Sequence, residues 1–227
     1  MNVDELRKEM SEPCCNLFAA PVDTYPPEGM SLIRSFFPDA RTVLVTGHHI
    51  TASLEWAWYP FPAERGGNTC AADLHAKSTI EAIERRLSLG GHKSMILPYP
   101  DACGISFKRL ASQTGMGEMG ESFLFLHHSW GPWVHLRVLL TDALVADGKS
   151  EHKQVCTHCR KCIEVCPGEA LSVGNHDQQE CGRSQLRLRD SLMIKAGYRH
   201  KCEVCARACP VGQAPQEIVI RDKAPAS

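Results

Sequence analysis

Cys156-Thr157-His158-Cys159-Arg160-Lys161-Cys162-Ile163-Glu164-Val165-Cys166-Pro167 decides the reading of this chain. Its two-residue gaps let three thiolates converge on one four-iron cubane while loop N–H groups point at the sulfides. The fourth Cys, a turn further on, faces away and serves a neighbouring cluster. The proline then turns the chain off the cluster. Working outward, Cys181-x20-Cys202-x2-Cys205-x3-Cys209-Pro210 repeats the ending with a stretched first gap. Eight Cys make two sets of four. The crossed rule assigns Cys156, Cys159, Cys162 and Cys209 to one cluster, and Cys181, Cys202, Cys205 and Cys166 to the other. A pair of four-cysteine zinc sites is the alternative, but zinc sites usually show two separated CxxC pairs rather than a tight run of three. With the thiol count complete, His158 is expected to face solvent or to support a ligand.

The chain has 227 residues, 12 of them Cys, with 25 basic and 26 acidic side chains and a net charge of -1. Such a balance excludes a disordered chain and a strongly cationic nucleic-acid binder. Residues 148–227 carry 13 Lys/Arg against 9 Asp/Glu, a surplus of 4 that is modest for a nucleic-acid surface. The apolar run from Val134 to Ala146 is broken by Arg137 and Asp142, so a membrane span is not expected. The first residues, MNVDELRKEMSEP, are charged and lack a signal core, which points to the cytoplasm. Thiols stay reduced there, so this many Cys suggest metal ligands rather than disulfides. Cys14, Cys15, Cys70 and Cys103 stand apart and read as small buried hydrophobes.

Upstream of the Cys runs, helices and strands alternate. Residues 1–10 suggest a short amphipathic helix, and prolines at 13, 21, 26 and 27 an extended connector. Residues 42–47 read as a strand, 73–89 as a helix closed by Gly90-Gly91, 94–97 as a strand and 107–114 as a helix. Residues 122–127 and 134–140 read as strands around a Gly131-Pro132 turn. This order predicts an α/β or α+β layered domain over 1–147, followed by a small ferredoxin-like two-cluster module over 148–227. His127 and His128 adjoin on a strand and must face opposite ways, one inward and one outward. Trp130, Trp133 and His135 are expected to pack the domain or line a cofactor pocket. Leu186, Leu188, Leu192 and Ile194 are expected to bury a helix against the clusters. Gly115, Gly117 and Gly120 form a GxGxxG loop, but no strand and distant acidic residue complete a dinucleotide fingerprint. Their expected role is to let backbone approach a large flat cofactor.

Several stretches resemble the epoxyqueuosine reductases. They are Asp101 through Ala111, the loop Gly115–Gly120, Trp130-Gly131-Pro132-Trp133, and Leu139-Leu140-Thr141-Asp142 ahead of the Cys runs. The stretched second motif is similar too. Glu118, where that family tends to an aromatic residue, and Glu121, where it tends to Lys, depart from its pattern. The resemblance, which extends to reductive dehalogenases, implies a nitroreductase-like α/β domain holding cobalamin without a protein ligand on cobalt, FMN being the lesser alternative. It also implies that two [4Fe-4S] clusters feed electrons to this cofactor and that Asp101 is the proton donor, a role that needs a raised carboxyl pKa. Reductases of that family acting on transfer RNA continue into helical repeats, whereas this sequence stops 18 residues after Cys209 and reads as a short form.

The expected function is therefore a corrinoid-dependent iron–sulfur oxidoreductase. It would be served by an external electron donor (a ferredoxin, flavodoxin or reductase) and would act on a small-molecule or corrinoid substrate, with nucleic acid disfavoured by charge. The alternative is an electron-transfer or corrinoid-activating protein with no small substrate of its own. Iron–sulfur clusters alone carry electrons, so the upstream domain decides between the two.

Overall fold

The computed structural model describes residues 1–10, 14–56, 59–60, 68–98, 104–146, 153–187 and 202–215. Its elements in chain order are α1 (Val3–Arg7), β1 (Cys15–Pro21), α2 (Pro27–Phe36), β2 (Thr42–His49), β3 (Tyr59–Pro60), β4 (Asn68–Thr69), α3 (Ala71–Leu89), β5 (Ser94–Ile96), α4 (Phe107–Ser112), β6 (Gly117–Met119), β7 (Phe125–His127) and β8 (Val134–Thr141). The Cys-rich part adds α5 (Lys161–Glu164), β9 (Leu171–Ser172), β10 (Asn175–His176), α6 (Gln178–Arg187) and α7 (Val204–Arg207). Asp101, Cys103 and the proposed 147/148 boundary lie outside the described residues, as do Leu188, Leu192 and Ile194.

A four-stranded antiparallel sheet in the order β1-β2-β8-β5 forms the centre. Side chains alternate across its two faces. Leu17, Ala19, Leu44 and Leu139 meet Leu6 of α1 and Ile80, Ile83 and Leu87 of α3. Phe18, Val43, Val45, Val138 and Leu140 meet Ile33 of α2 and Phe107 and Leu110 of α4. The result is a three-layer mixed α/β arrangement. Each fully buried Leu or Ile contributes about 1.5–3 kcal/mol of transfer free energy. Tyr25 pins the second layer by donating from its hydroxyl to the Leu110 carbonyl at 2.9 Å. Burial holds that phenol well above its ordinary pKa.

The expected strands and helices over 42–47, 73–89, 94–97 and 107–114 are present with small shifts of boundary. Two expectations fail. Residues 15–21 form an edge strand rather than a continuation of the first break, paired with β2 from Cys15↔His48 to Pro21↔Thr42. Pro26-Pro27 starts a helix instead of prolonging a connector. Pro27 sits at the first helical position, where the N–H that proline lacks would have no helical partner and its φ is already helical.

The Cys-rich part is docked on the β6–β7 hairpin and the β7–β8 turn. Gly131 (φ +59°) and Gly212 (φ +74°) bring two backbones together: a Cβ on Gly131 would run into the Val211 carbonyl, and one on Gly212 into that of Trp130. A side chain at either place would therefore meet both left-handed strain and a clash. Ala206 of α7 joins Trp133, Ile50 and Cys70 in one buried cluster. The Arg207 guanidinium lies 5.4 Å from the Trp133 ring centroid and donates to Ser53 Oγ at 2.6 Å and to Glu203 Oε2 at 2.7 Å.

Candidate metal centre and adjoining cavity

The eight Cys of the two runs sort by space, not by run. Cys156, Cys159, Cys162 and Cys209 line one small pocket together with Glu121, Ser122 and Leu126 of the upstream hairpin. Cys166, Cys181, Cys202 and Cys205 line a second, larger cavity. The mutual repulsion of the thiols follows the same division apart from one effect across it, that of Cys162 on Cys205. Burial raises the Cys162 thiol, and the charges of Cys209 and Cys156 raise it further. Burial likewise raises Cys202, helped by Cys181 and Cys166. Cys205 is pushed up to about 12, first by burial and then by Cys202, Cys181, Cys166 and Cys162. Each set thus places several thiols where ionisation is unfavourable until a cationic centre offsets it. Cys159, fully exposed, is the opposite case: the backbone N–H of Lys161 and then the Thr157 hydroxyl hold its thiol low. Among the described residues, no three His, Cys, Asp or Glu close on a single-ion site.

The loop that carries the first set is irregular until α5 and uses left-handed residues at His158 (φ 51°) and Arg160 (φ 60°). It is held from outside by the two residues that depart from the family pattern. Glu118 Oε1 accepts from the backbone N–H of Val155 at 2.7 Å and of Cys156 at 2.6 Å. Glu121 Oε1 meets His158 Nδ1 at 2.9 Å. His158 is accordingly a surface residue supporting the loop, its side chain 59% exposed. Both carboxylates come from the glycine-rich hairpin. Gly117 is explained by packing within that hairpin, since a Cβ there would overlap the Leu126 carbonyl of β7, and Gly120 abuts the Leu126 side chain. Gly115 turns the chain at φ +77°.

The larger cavity has a volume of about 570 Å³ and lies between the sheet and the second thiol set. Its upstream wall is aromatic, with Trp56, Phe107, Phe123 and Phe125, and Lys108 and His135 add polar groups. His135 is oriented from behind: its Nε2 lies 2.8 Å from Asp73 Oδ1. The same buried carboxylate takes two bonds from Arg137, at 2.8 and 2.7 Å. Burial alone would raise Asp73, but the hydrogen bonds and charges of His135 and Arg137 outweigh it and hold the carboxyl far below the usual range. Sequence reasoning missed this triad, because Asp73 lies 62 and 64 positions from its partners. A buried-face Asp in the first turn of a helix was the available signal.

His127 is buried and His128 exposed, but they do not face opposite ways as expected: the strand ends at His127, alternation no longer governs His128, and the two rings lie 4.2 Å apart with both edge-on to Phe18. Nδ1 of His127 accepts from the N–H of Ser129 at 3.1 Å and of Trp130 at 3.2 Å. Its Nε2 must then carry the proton; Asn16 Nδ2 lies 2.7 Å from it, two donors face to face, so we assign the amide the opposite orientation, in which its otherwise partnerless Oδ1 accepts from Nε2. Burial, then the charges of His128 and His49, lower the His127 pKa to about 3. The unfolded value is near 6.5. The folding stability tied to this neutral ring is fully present above pH 6.5 and lost as pH falls through about 3. His127→Gln is therefore expected to flatten the acid side of the unfolding profile in that window, as read by denaturant melts at successive pH values.

No family model matches the chain. An epoxyqueuosine reductase of Synechocystis sp. is 24% identical over 194 residues, covering 80% of this chain and 66% of that protein. One of Bacillus cereus is 27% identical over 185 residues, covering 76% and 48%. The chain spans less than two thirds of the length of these curated relatives. The structure of epoxyqueuosine reductase from Streptococcus thermophilus superposes with a TM-score of 0.63 at 16% identity, covering 97% of this chain and 68% of that one. An epoxyqueuosine reductase crystallised with a tRNA-Tyr stem loop gives 0.64 at 16% identity, covering 92% and 66%. A catabolic reductive dehalogenase gives 0.58 at 14% identity, covering 86% and 29%. The chain is thus related in sequence to the epoxyqueuosine reductases and shares its mixed α/β fold with them and with the reductive dehalogenases.

Proposed function

We propose that this chain is a reductase in which two [4Fe-4S] clusters, one on Cys156, Cys159, Cys162 and Cys209 and one on Cys166, Cys181, Cys202 and Cys205, supply electrons to a corrinoid seated in the adjoining cavity. The observation that carries the reading is the sorting of eight Cys from two sequence runs into two crossed sets around separate pockets. That exchange of the fourth ligand is the habit of paired four-iron clusters. The thiols of each set are the soft donors iron–sulfur clusters take. The cavity's size and flat aromatic walls suit a planar macrocycle or a flavin, with the second thiol set as its far wall. A corrinoid held there would supply a low-potential, nucleophilic cobalt centre. The chain's own contribution is to exclude water with Trp56, Phe107, Phe123 and Phe125 and to present the imidazole of His135, fixed by Asp73.

Asp101 is the proposed proton donor. Its support is the resemblance around residues 101–111, together with a Bacillus subtilis epoxyqueuosine reductase structure described by an aspartate-bearing catalytic loop that swings out of the active site. The expectation that nucleic acid is not a partner rested on net charge. A protein of this fold crystallised with a tRNA stem loop removes that ground, so an RNA stands beside a small molecule as the substrate class. No helix among the described residues is long and apolar enough to cross a membrane.

Anaerobic purification is expected to give about eight iron and eight sulfide per chain. Added cobalamin is expected to bind 1:1 with a base-off spectrum and to be reduced only when the clusters are present. Colourless protein with about two zinc would sink the cluster assignment. Iron-loaded protein that ignores cobalamin would instead favour an electron carrier. Asp101→Asn is expected to abolish turnover while sparing cobalt reduction.

A further inference from the structure

A second constellation lies on the opposite face of the sheet from His127, at the start of β1. The antiparallel register sets Cys15 directly across from His48. Cys15 Sγ lies 3.4 Å from His48 Nδ1, and His48 Nε2 lies 3.0 Å from Glu55 Oε2. Glu55 is itself fixed, its other oxygen accepting from Thr51 Oγ1 at 2.7 Å, Ala52 N at 3.0 Å and Thr51 N at 3.2 Å. Thr79 of α3 directs its hydroxyl at the same sulfur from 3.4 Å. His75, one turn earlier on α3, stacks on the His48 ring at 5.1 Å. The carboxylate accepts from Nε2–H, so Nδ1 faces the sulfur, where it can take up the thiol proton and leave a thiolate–imidazolium pair.

Nucleophile, base and orienting carboxylate in this order are the parts of an activated thiol. The expectation that Cys15 is an inert buried hydrophobe does not fit them. Its side chain is partly exposed, while His48 is only 4% exposed and Cys70 fully buried. Burial works against charge on His48, yet the hydrogen bonds and charges of Cys15 and Glu55 prevail and raise its pKa to about 9. His75, stacked on it from α3, and His135, directly across from it on β8, are its titratable neighbours on this face, whereas His49 turns to the other face and stacks on Trp130.

We propose that Cys15, with His48 as base and Glu55 as its orienting partner, is a peroxide-reactive nucleophile separate from the cluster sites. Sulfur attacks one peroxide oxygen, so that an S–O bond forms as the O–O bond breaks. The thiol proton passes through His48 to the departing hydroxide, which leaves as water. Sulfur is oxidised by two electrons to the sulfenic acid, and the peroxide is reduced by two. This inference does not rest on the iron–sulfur reading.

The test uses the full chain, prepared without air, pulsed with hydrogen peroxide in the presence of dimedone and read by peptide mass spectrometry with fragmentation. A parallel pulse uses iodoacetamide. Cys14, adjacent and also partly exposed, is the internal reference, and buried Cys70 reports the fold. Cys15 is expected to be labelled at least tenfold faster than Cys14 by both reagents. His48→Asn is expected to bring it down to the Cys14 rate with Cys70 still protected. Equal labelling of Cys14 and Cys15, or a Cys15 rate unmoved by His48→Asn, overturns the proposal. Should His48→Asn expose Cys70, Glu55→Gln decides: a several-fold slower Cys15 supports the relay, and an unchanged rate refutes it.

Discussion

A chain carrying Cys209→Ser is expected to lose the same half of its iron as one carrying Cys156→Ser, although the two positions belong to different sequence runs. Cys166→Ser is expected to behave like Cys202→Ser instead. The pockets make this specific: Cys209 lines the cavity of Cys156, Cys159 and Cys162, whereas Cys166 lines that of Cys181, Cys202 and Cys205. If ligands followed sequence order, Cys166 would group with Cys156 and Cys209 with Cys202. Iron and sulfide should fall from about eight to about four per chain in every single variant, so the total alone does not discriminate. Electron paramagnetic resonance of the reduced protein does, since two distinct signals are expected and each variant removes one. Matching losses for Cys156 and Cys166 would overturn the crossed assignment.

The second large effect is structural. Asp73→Ala is expected to destabilise the fold by about 3–5 kcal/mol, because it removes the carboxylate that takes two hydrogen bonds from the buried Arg137 guanidinium. Arg137 is 8% exposed and sits mid-strand in β8, where water cannot replace the carboxylate. The melting temperature should fall by roughly 10 °C for a chain of this size. Replacing both partners with apolar residues of similar volume, Asp73→Leu with Arg137→Met, should recover most of the loss. His135 also loses the Asp73 contact in Asp73→Ala, so cofactor uptake in the cavity should weaken as well. A variant melting within a degree or two of the parent would show that the pair contributes little.

Much of the sheet could be read from the chain. Residues 42–49 and 134–141 are almost wholly buried runs, and α3 carries Ile80, Ile83 and Leu87 at helical spacing before two glycines. The Cys spacing could be read because it is a local property of each loop; that the eight thiols hold two crossed clusters remains the proposal. What stayed hidden depends on register or on an ambiguous residue. Proline at a helix start looks, in sequence, the same as proline in a connector, and α2 was lost that way. Cys15, His48 and Glu55 carry no shared motif, and only the pairing of β1 with β2 joins them. Glu118 and Glu121 read as mere departures from a pattern until the hairpin was seen to grip the amides of Val155 and Cys156 and the ring of His158.

The mutual approach of Gly131 and Gly212 bears on how this protein can be dissected. Two peptide planes in contact leave nowhere for a spacer, and the cavity beside them borrows its walls from both sides of the seam. Cutting the gene between them would yield two fragments, each with half a vessel and a newly wetted apolar scar. The sulfur-bearing portion is better regarded as the lid of its neighbour than as a cassette to be transplanted.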